Sequence, residues 1–251
     1  MAKKSTKKRA TLSLGLVILI VAILVVGYFF RDKIPFLDKL FSNEQTYEHI
    51  SLDEIPEYSD SPYVVINSNV PFFTDEEKAD IVSYEHYADL DNLQRCGVVM
   101  ACIGTDLMPA DGEERGSISH VYPSGWEQNK YDTQLVEGGY LYNRSHLIGW
   151  QLTAENDNEK NLITGTRYFN VEGMLPFENM AADYLHEYED NHVLYRVTPI
   201  YDGSNLLASG VLMEAYSLED SGEGLTFCVY VYNVQPGIEI DYATGENQLA
   251  K

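Results

Sequence analysis

Apolar residues along this chain fall into three patterns. The first is one long run. From Thr11 to Phe30 no residue carries a charge, and the run includes LSLGLVILIVAILVVGYFF. At ~1.5 Å per residue, a helix of that length spans ~30 Å, the thickness of a bilayer's hydrocarbon core. The second pattern is short, apolar and β-branched, bounded by Gly, Pro, Asn or Asp, and it predicts strands. YVVIN (63–67), CGVVMACIG (96–104), VLYRVTPIY (193–201), ASGVLMEAYSL (208–218) and FCVYVYNV (227–234) are of this kind, with NLITGT (161–166) as a shorter one. The third pattern repeats at helical spacing. PFENMAADYLHEYED (176–190) puts Pro176 in a first turn, then Phe177, Met180, Ala181, Tyr184, Leu185 and Tyr188 on one stripe. FTDEEKADIVSYEHYADL (73–90) opens on Thr74 with Glu77 three residues on, a capping box that predicts a second helix. YDTQLV, EGGY and LYNRSH read as a hairpin turning at Gly138-Gly139. Strands interrupted by a few helices, with no internal repeat, predict an α+β fold with a mixed or antiparallel sheet core.

The flanks of the long run orient it. Residues 1–10, MAKKSTKKRA, hold five basic residues, Lys3, Lys4, Lys7, Lys8 and Arg9. The positive-inside bias keeps them in the cytoplasm, so residues 11–30 read as an uncleaved signal anchor and everything after faces outward. A cleavable signal peptide has a shorter apolar region and a small-residue cleavage site, whereas this run continues into Tyr28-Phe29-Phe30-Arg31. Residues 31–60 are rich in Asp, Glu, Ser and Pro without a clear period and suit an acidic extracellular stalk. The folded domain is expected over 61–251.

Charge narrows the function. Of 17 basic residues, five precede the span, while all 39 acidic residues follow it; 12 against 39 leaves a formal −27 outside. That balance argues against a nucleic-acid coat protein or a binder of anionic lipid. A phosphate-bearing substrate must meet a local basic spot or a metal ion, and its capture should depend steeply on salt. The three cysteines, Cys96, Cys102 and Cys228, cannot form a complete disulfide framework and read as buried free thiols.

Chemistry concentrates between 141 and 190. LYNRSHLIGW seats His146 at the end of an apolar run, two residues after Arg144, and Asn161, Asn170 and Glu178 follow. A histidine titrating near ~6.5 is a natural base for deprotonating water. An Asn carbonyl is a proper ligand for a hard cation such as Mg²⁺, which keeps most of its waters. Arg144 shares a strand face with His146 and can meet a phosphate oxygen. Each residue also has a plainer reading. A lone His at a strand end is commonly a polar surface group, Asn170 before Gly173 and Pro176 suits a turn, and Glu178 suits a first helical turn. From the residues alone, the site stays a possible hydrolase.

The motifs together decide more. YNRSHLIG, then NLITGTRYFN and LPFEN, closely resemble the DNA/RNA non-specific endonuclease family, the ββα-metal nucleases. The family motif is Asp-Arg-Gly-His, followed by two asparagines and a glutamate. Asn161, Asn170 and Glu178 match the family spacing, nine residues and then eight. IPEYSDSPYVVINSNVPFF, PSGW, ASGVLMEAYS and VYVYNVQPGIEIDYATG are similar to the Gram-positive, membrane-anchored branch that includes DNA-entry nucleases, so the likeness covers roughly 55–247. The resemblance implies a ββα-metal finger with His146 as general base, Asn170 as direct Mg²⁺ ligand and Glu178 holding metal-bound water. It also implies that Asn161 supports the base, that Arg144 contacts phosphate, and that Mn²⁺ can stand in for Mg²⁺. The implied substrates are DNA and RNA regardless of sequence, cut to 5′-phosphorylated fragments. Two positions depart from the motif: Asn143 replaces the Asp and Ser145 the Gly, a version similar to that of some secreted members. Asn143 can still hydrogen-bond but brings no carboxylate, so any lift of the histidine pKa from that acid is missing.

Other signals carry less. Arg115, in the Gly-rich loop GEERGSIS, and Arg167, between the two asparagines, are candidate phosphate grips, with surface solvation the stronger reading for Arg115 and the two readings closer for Arg167. Asn143-Arg144-Ser145 fits a glycosylation acceptor, but a glycan there would block the site. HEYEDNH (186–192) has its histidines six apart, too far to share a helix face around zinc. Two other classes of function stay open: a catalytically dead nucleic-acid receptor of the same fold, and an acidic structural envelope protein. The intact His146, Asn170 and Glu178 set speaks against both.

Overall fold

The computed structural model describes residues 50–251. The expected anchor (11–30), its basic flank and residues 31–49 of the expected stalk lie outside the described residues, and among those described no helix is long and apolar enough to cross a membrane.

Eight strands carry the argument. β1 (Tyr63–Val65), β2 (Tyr84–Tyr87), β3 (Val99–Ile103), β6 (Val193–Ile200), β7 (Gly210–Ser217) and β8 (Thr226–Tyr232) form one antiparallel sheet in the order β1-β8-β7-β6-β3-β2. β4 (Tyr142–His146) and β5 (Leu162–Thr166) pair separately, with His146 opposite Leu162. β9 (Ile238–Ile240) and β10 (Asn247–Leu249) make a small C-terminal hairpin. The helices are α1 (Asp75–Ala79), α2 (Trp150–Thr153) and α3 (Leu175–Glu187). This is the expected α+β fold with an antiparallel core.

The long strands read as continuous apolar runs because both faces of the sheet are covered. Side chains alternate along a strand. Val193, Tyr195 and Val197 of β6, Val211, Met213 and Ala215 of β7, and Phe227, Val229 and Val231 of β8 face one core. Phe177, Ala181 and Leu185 of α3 pack into that core. Leu212, Cys228, Tyr230 and Tyr232 face the other way, where Ile50, Leu52, Ile55, Tyr58 and Ile66 cover them. Residues 50–60, expected as stalk, therefore lay apolar side chains on the sheet.

That second face also buries a charge cluster. Arg196 and Glu214, both 0% exposed, pair at 2.7 and 3.0 Å; Glu77 meets the same guanidinium at 3.2 Å, which lies 4.5 Å from the Phe73 ring centroid, and the Phe72 amide donates to Glu214.

Two expectations fail locally. The capping box forms: the Thr74 hydroxyl accepts from the Glu77 amide and the Thr74 amide donates to the Glu77 carboxylate. The helix nevertheless stops at Ala79 instead of running to 90. Asp80 turns extended, and Tyr84–Tyr87 pair with Cys102 back to Val99, so strand pairing outcompetes a helix whose later residues have no core to face. The hairpin at Gly138-Gly139 is also absent. Both glycines take positive φ, but only one bridge, Lys130 to Tyr140, joins the flanks. Val136 and Leu141 instead fold into a separate core with Tyr142, Leu207 and Ile238, and β4 takes β5 as its partner. The strand, strand and helix anticipated around His146 are thus β4, β5 and α3.

All three cysteines are free and buried, as expected, although only Cys102 and Cys228 lie on strands.

Candidate active site

β4 ends at His146, which is buried between two loops. Its Nε2 lies 2.8 Å from the Asn156 carbonyl and its Nδ1 3.0 Å from Nη2 of Arg115. A carbonyl oxygen only accepts and a guanidinium only donates, so the hydrogen sits on Nε2 and the unprotonated Nδ1 accepts from Arg115. Burial, with the Arg115 charge beside it, lowers the His146 pKa to about 4, and the Asn156 carbonyl offsets this in part. The imidazole is therefore a neutral, oriented acceptor across the physiological range.

The segment after His146 is pinned by Asn161. Its side-chain oxygen accepts from the Ile148 amide and its side-chain nitrogen donates to the Ile148 carbonyl, both at 2.9 Å, while its backbone carbonyl accepts from Leu147. Asn161 is wholly buried, so these two bonds satisfy main-chain groups that no water reaches.

After β5 the chain makes one π-helical turn, Phe169–Met174, which runs directly into α3. Such turns widen a helix and recur at functional sites. Asn170 lies in the π turn and Glu178 in the first turn of α3, where Pro176 needs no amide partner. Both line one cleft of about 680 Å³ together with His146, Arg115, Arg144 and Arg167. Among the described residues, neither the Asn170 amide nor the Glu178 carboxyl has a hydrogen-bond partner. Burial pushes the Glu178 carboxyl up to about 8, against the pull of Arg115. The carboxyl lies against Gly149, where a Cβ would come within 2.6 Å of Oε2, so a side chain there would push the carboxyl aside.

Arg115, weighted in the sequence towards surface solvation, does expose much of its side chain, yet it lines the cleft beside His146. Partial burial holds its guanidinium below its usual value while Glu178 acts the other way. A Gly following an Arg in a polar loop was its only signal, one too common to identify it. Asn156 was also missed, because it acts through its main chain.

Arg144 lines the cleft, but its Nε donates to the Val121 carbonyl and Nη2 to Ser119, and its guanidinium lies 4.2 Å from the Trp126 ring and 5.2 Å from that of Tyr122. It ties down the 119–121 loop and leaves Nη1 for a ligand. Arg167 lines the same cleft and pairs with Glu137 at 3.0 Å. Asn143 also faces the cleft, while the Ser145 hydroxyl is buried with no partner among the described residues.

Charge at the cleft contradicts charge overall. Its lining holds three arginines against one glutamate, on a chain of formal charge −22. Among the described residues no three His, Cys, Asp or Glu side chains converge. The free donors beside His146 are instead one amide and one carboxylate, both hard oxygens.

The chain is similar to known proteins. Residues 76–218, more than half of the chain, match the family described as DNA/RNA non-specific endonuclease. A deoxyribonuclease of Streptococcus dysgalactiae subsp. equisimilis is 34% identical over 206 residues, which are 67% of this chain and 62% of that protein. The chain thus spans about three fifths of that relative's length. Of solved structures, magnesium-bound NucA from Streptococcus agalactiae shares the fold with a TM-score of 0.67 at 24% identity, over 80% of this chain and 92% of NucA. The Sda1 nuclease, solved with a zinc ion, gives 0.57 at 31% identity over 67% of this chain and 83% of its own. The chain belongs to the DNA/RNA non-specific endonuclease family.

Proposed function

We propose that this protein is a membrane-anchored, outward-facing, Mg²⁺-dependent endonuclease that hydrolyses DNA and RNA without regard to sequence. The observation that carries the reading is the unprotonated Nδ1 of His146, held by Arg115 in a cleft whose lining is positive on an otherwise acidic protein.

β4, β5 and α3 serve as the ββα-metal finger. His146 takes a proton from water on Nδ1, and its Nε2–H stays on the Asn156 carbonyl, which steadies the imidazolium that forms. Arg115 covers Nδ1 in the free protein. A phosphate oxygen competes for that guanidinium, so substrate entry draws Arg115 onto the phosphate and opens Nδ1 to water. Arg115, the free nitrogen of Arg144, and Arg167 then meet the charge that grows on the phosphoryl oxygens. Asn161 holds the backbone behind the base in register.

The donors fit a hard divalent ion. Asn170 offers an unpartnered oxygen, and Glu178 a carboxyl whose ionisation is costly until a cation joins it. When bound, Mg²⁺, or Mn²⁺ in its place, supplies charge neutralisation at the leaving 3′ oxygen. Related structures holding magnesium or zinc agree with a divalent ion.

The uncharged run 11–30 and its basic flank support anchoring, with the amino terminus in the cytoplasm. Protease added to intact cells is expected to remove residues 50–251.

End-group analysis tests the chemistry. Fragments from a Mg²⁺ digest should be ligatable without kinase treatment, as 5′-phosphates are. Fragments that need kinase would refute attack by water with departure of the 3′ oxygen.

A further inference from the structure

The cleft is longer than one phosphodiester and one ion require. Besides His146, Asn170, Glu178 and Arg115, its lining includes the aromatic residues Trp126, Tyr140 and Tyr142. β4 acts as a ruler between them. Tyr142 precedes His146 by four residues, ~13 Å at ~3.3 Å per residue, and Tyr140 lies further along. An extended nucleic-acid strand covers that distance in a couple of nucleotides.

Tyr140 is not needed by the core beneath it. Trp126, Tyr131 and Leu135 pack on the Val136, Leu141 and Leu207 core, whereas Tyr140 stays outside that set and is 49% exposed. A cation lies over one face of each ring: the Lys130 Nζ is 4.4 Å from the Tyr140 centroid and the Arg144 guanidinium 4.2 Å from that of Trp126. Exposed aromatic faces beside fixed positive charge are what proteins use to hold unpaired strands, the bases stacking while cations track the phosphates. The polar neighbour does not read base edges, because Gln128 donates to the Tyr142 carbonyl at 2.6 Å and accepts from the Tyr142 amide at 2.9 Å.

We propose that Tyr140, with Trp126 beside it, is a base-stacking subsite that grips an unpaired nucleobase of the strand being cut, a couple of nucleotides from the scissile phosphate. This rests on the nuclease reading above. It makes single-stranded or locally opened nucleic acid the preferred substrate, and it accepts any base because every base has a stacking face.

The test uses full-length protein in detergent with Mg²⁺ and a short labelled single strand. One abasic residue is stepped through the strand, and kcat/KM is read at each bond. In the wild type, an abasic residue at one fixed distance from the cut should lower kcat/KM about tenfold, mainly through KM. Tyr140→Ala should lose a similar factor on the intact strand and show no further abasic penalty, whereas Tyr140→Phe, which keeps the ring, should behave as wild type. A wild type indifferent to the missing base, or a Tyr140→Ala variant that keeps the full penalty, would overturn the subsite and leave the nuclease standing. A wild type that cuts no strand at all would remove both.

Discussion

Glu178 offers a quantitative test of the metal site that needs no substrate. Its carboxyl titrates near about 8 in the folded protein because burial disfavours its charged form. In the unfolded chain it titrates near its ordinary value of 4.5. The folded state therefore holds the proton more tightly. Below 4.5 both states are protonated and nothing is lost; between 4.5 and 8 the unfolded chain releases its proton first, and stability falls as pH rises. One pKa unit corresponds to about 1.36 kcal/mol, so raising the pH from 6.5 to 8 costs up to about 2 kcal/mol. The carboxyl also opens onto the cleft, and water there reduces the figure to about 1–2 kcal/mol. For a domain of this size that is a fall in Tm of about 2–8 °C. His146 opposes the fall only slightly: it is neutral when folded, its unfolded form loses its last half proton between 6.5 and 8, and this returns about 0.4 kcal/mol. Melting followed by circular dichroism at pH 6.5 and 8 in EDTA should show the fall. Mg²⁺ should remove it by favouring the ionised carboxylate, and Glu178→Gln should abolish the slope with or without metal. A slope that survives in Glu178→Gln, or one that Mg²⁺ leaves unchanged, would refute the placement of the ion beside this residue.

Three further predictions follow from other contacts. Asn161→Ala leaves the Ile148 amide and carbonyl buried without partners and should cost about 2–4 kcal/mol in urea unfolding, with a matching loss of activity at fixed temperature. Arg196→Met strands the wholly buried Glu214 and should destabilise by about 3–5 kcal/mol, while replacing both with apolar residues should recover most of it; equal losses in single and double variants would contradict the pairing. Arg115→Ala removes a charge that holds the His146 pKa down, so the acidic limb of the pH–kcat/KM profile should move to higher pH, while kcat falls about 10²-fold.

Elements with strong local signals were legible in the sequence. β3, β6, β7 and β8 announce themselves because both faces of each are buried, which leaves little polar punctuation within a run. α3 announces itself through its stripe and Pro176. The residues after Ala79 were misread because a good amino-terminal cap says where a helix begins and not how far it runs. The Gly138-Gly139 turn was misread because turn chemistry does not choose a strand's partner. That choice was made by Val136 and Leu141 seeking a core and by β5, twenty residues downstream of Tyr142. Within the site, His146, Asn161, Asn170 and Glu178 lie on one continuous unit, and the resemblance of its motifs to a family, more than their spacing, singled them out. Arg115 arrives from a loop thirty-one residues earlier, and Asn156 contributes a carbonyl that any residue could supply. Neither leaves a pattern in the chain.

The central claim, a metal-dependent hydrolase with His146 as base, is best tested on supercoiled plasmid. Full-length protein in mild detergent at low salt would be incubated with Mg²⁺ or EDTA, as wild type and as His146→Ala. The account predicts nicked and linear plasmid from the wild type with Mg²⁺, and intact plasmid with EDTA or from the variant. Cutting that persists in EDTA, or that His146→Ala leaves undiminished, would contradict it, and a wild type that binds the plasmid without cutting would make the protein a receptor.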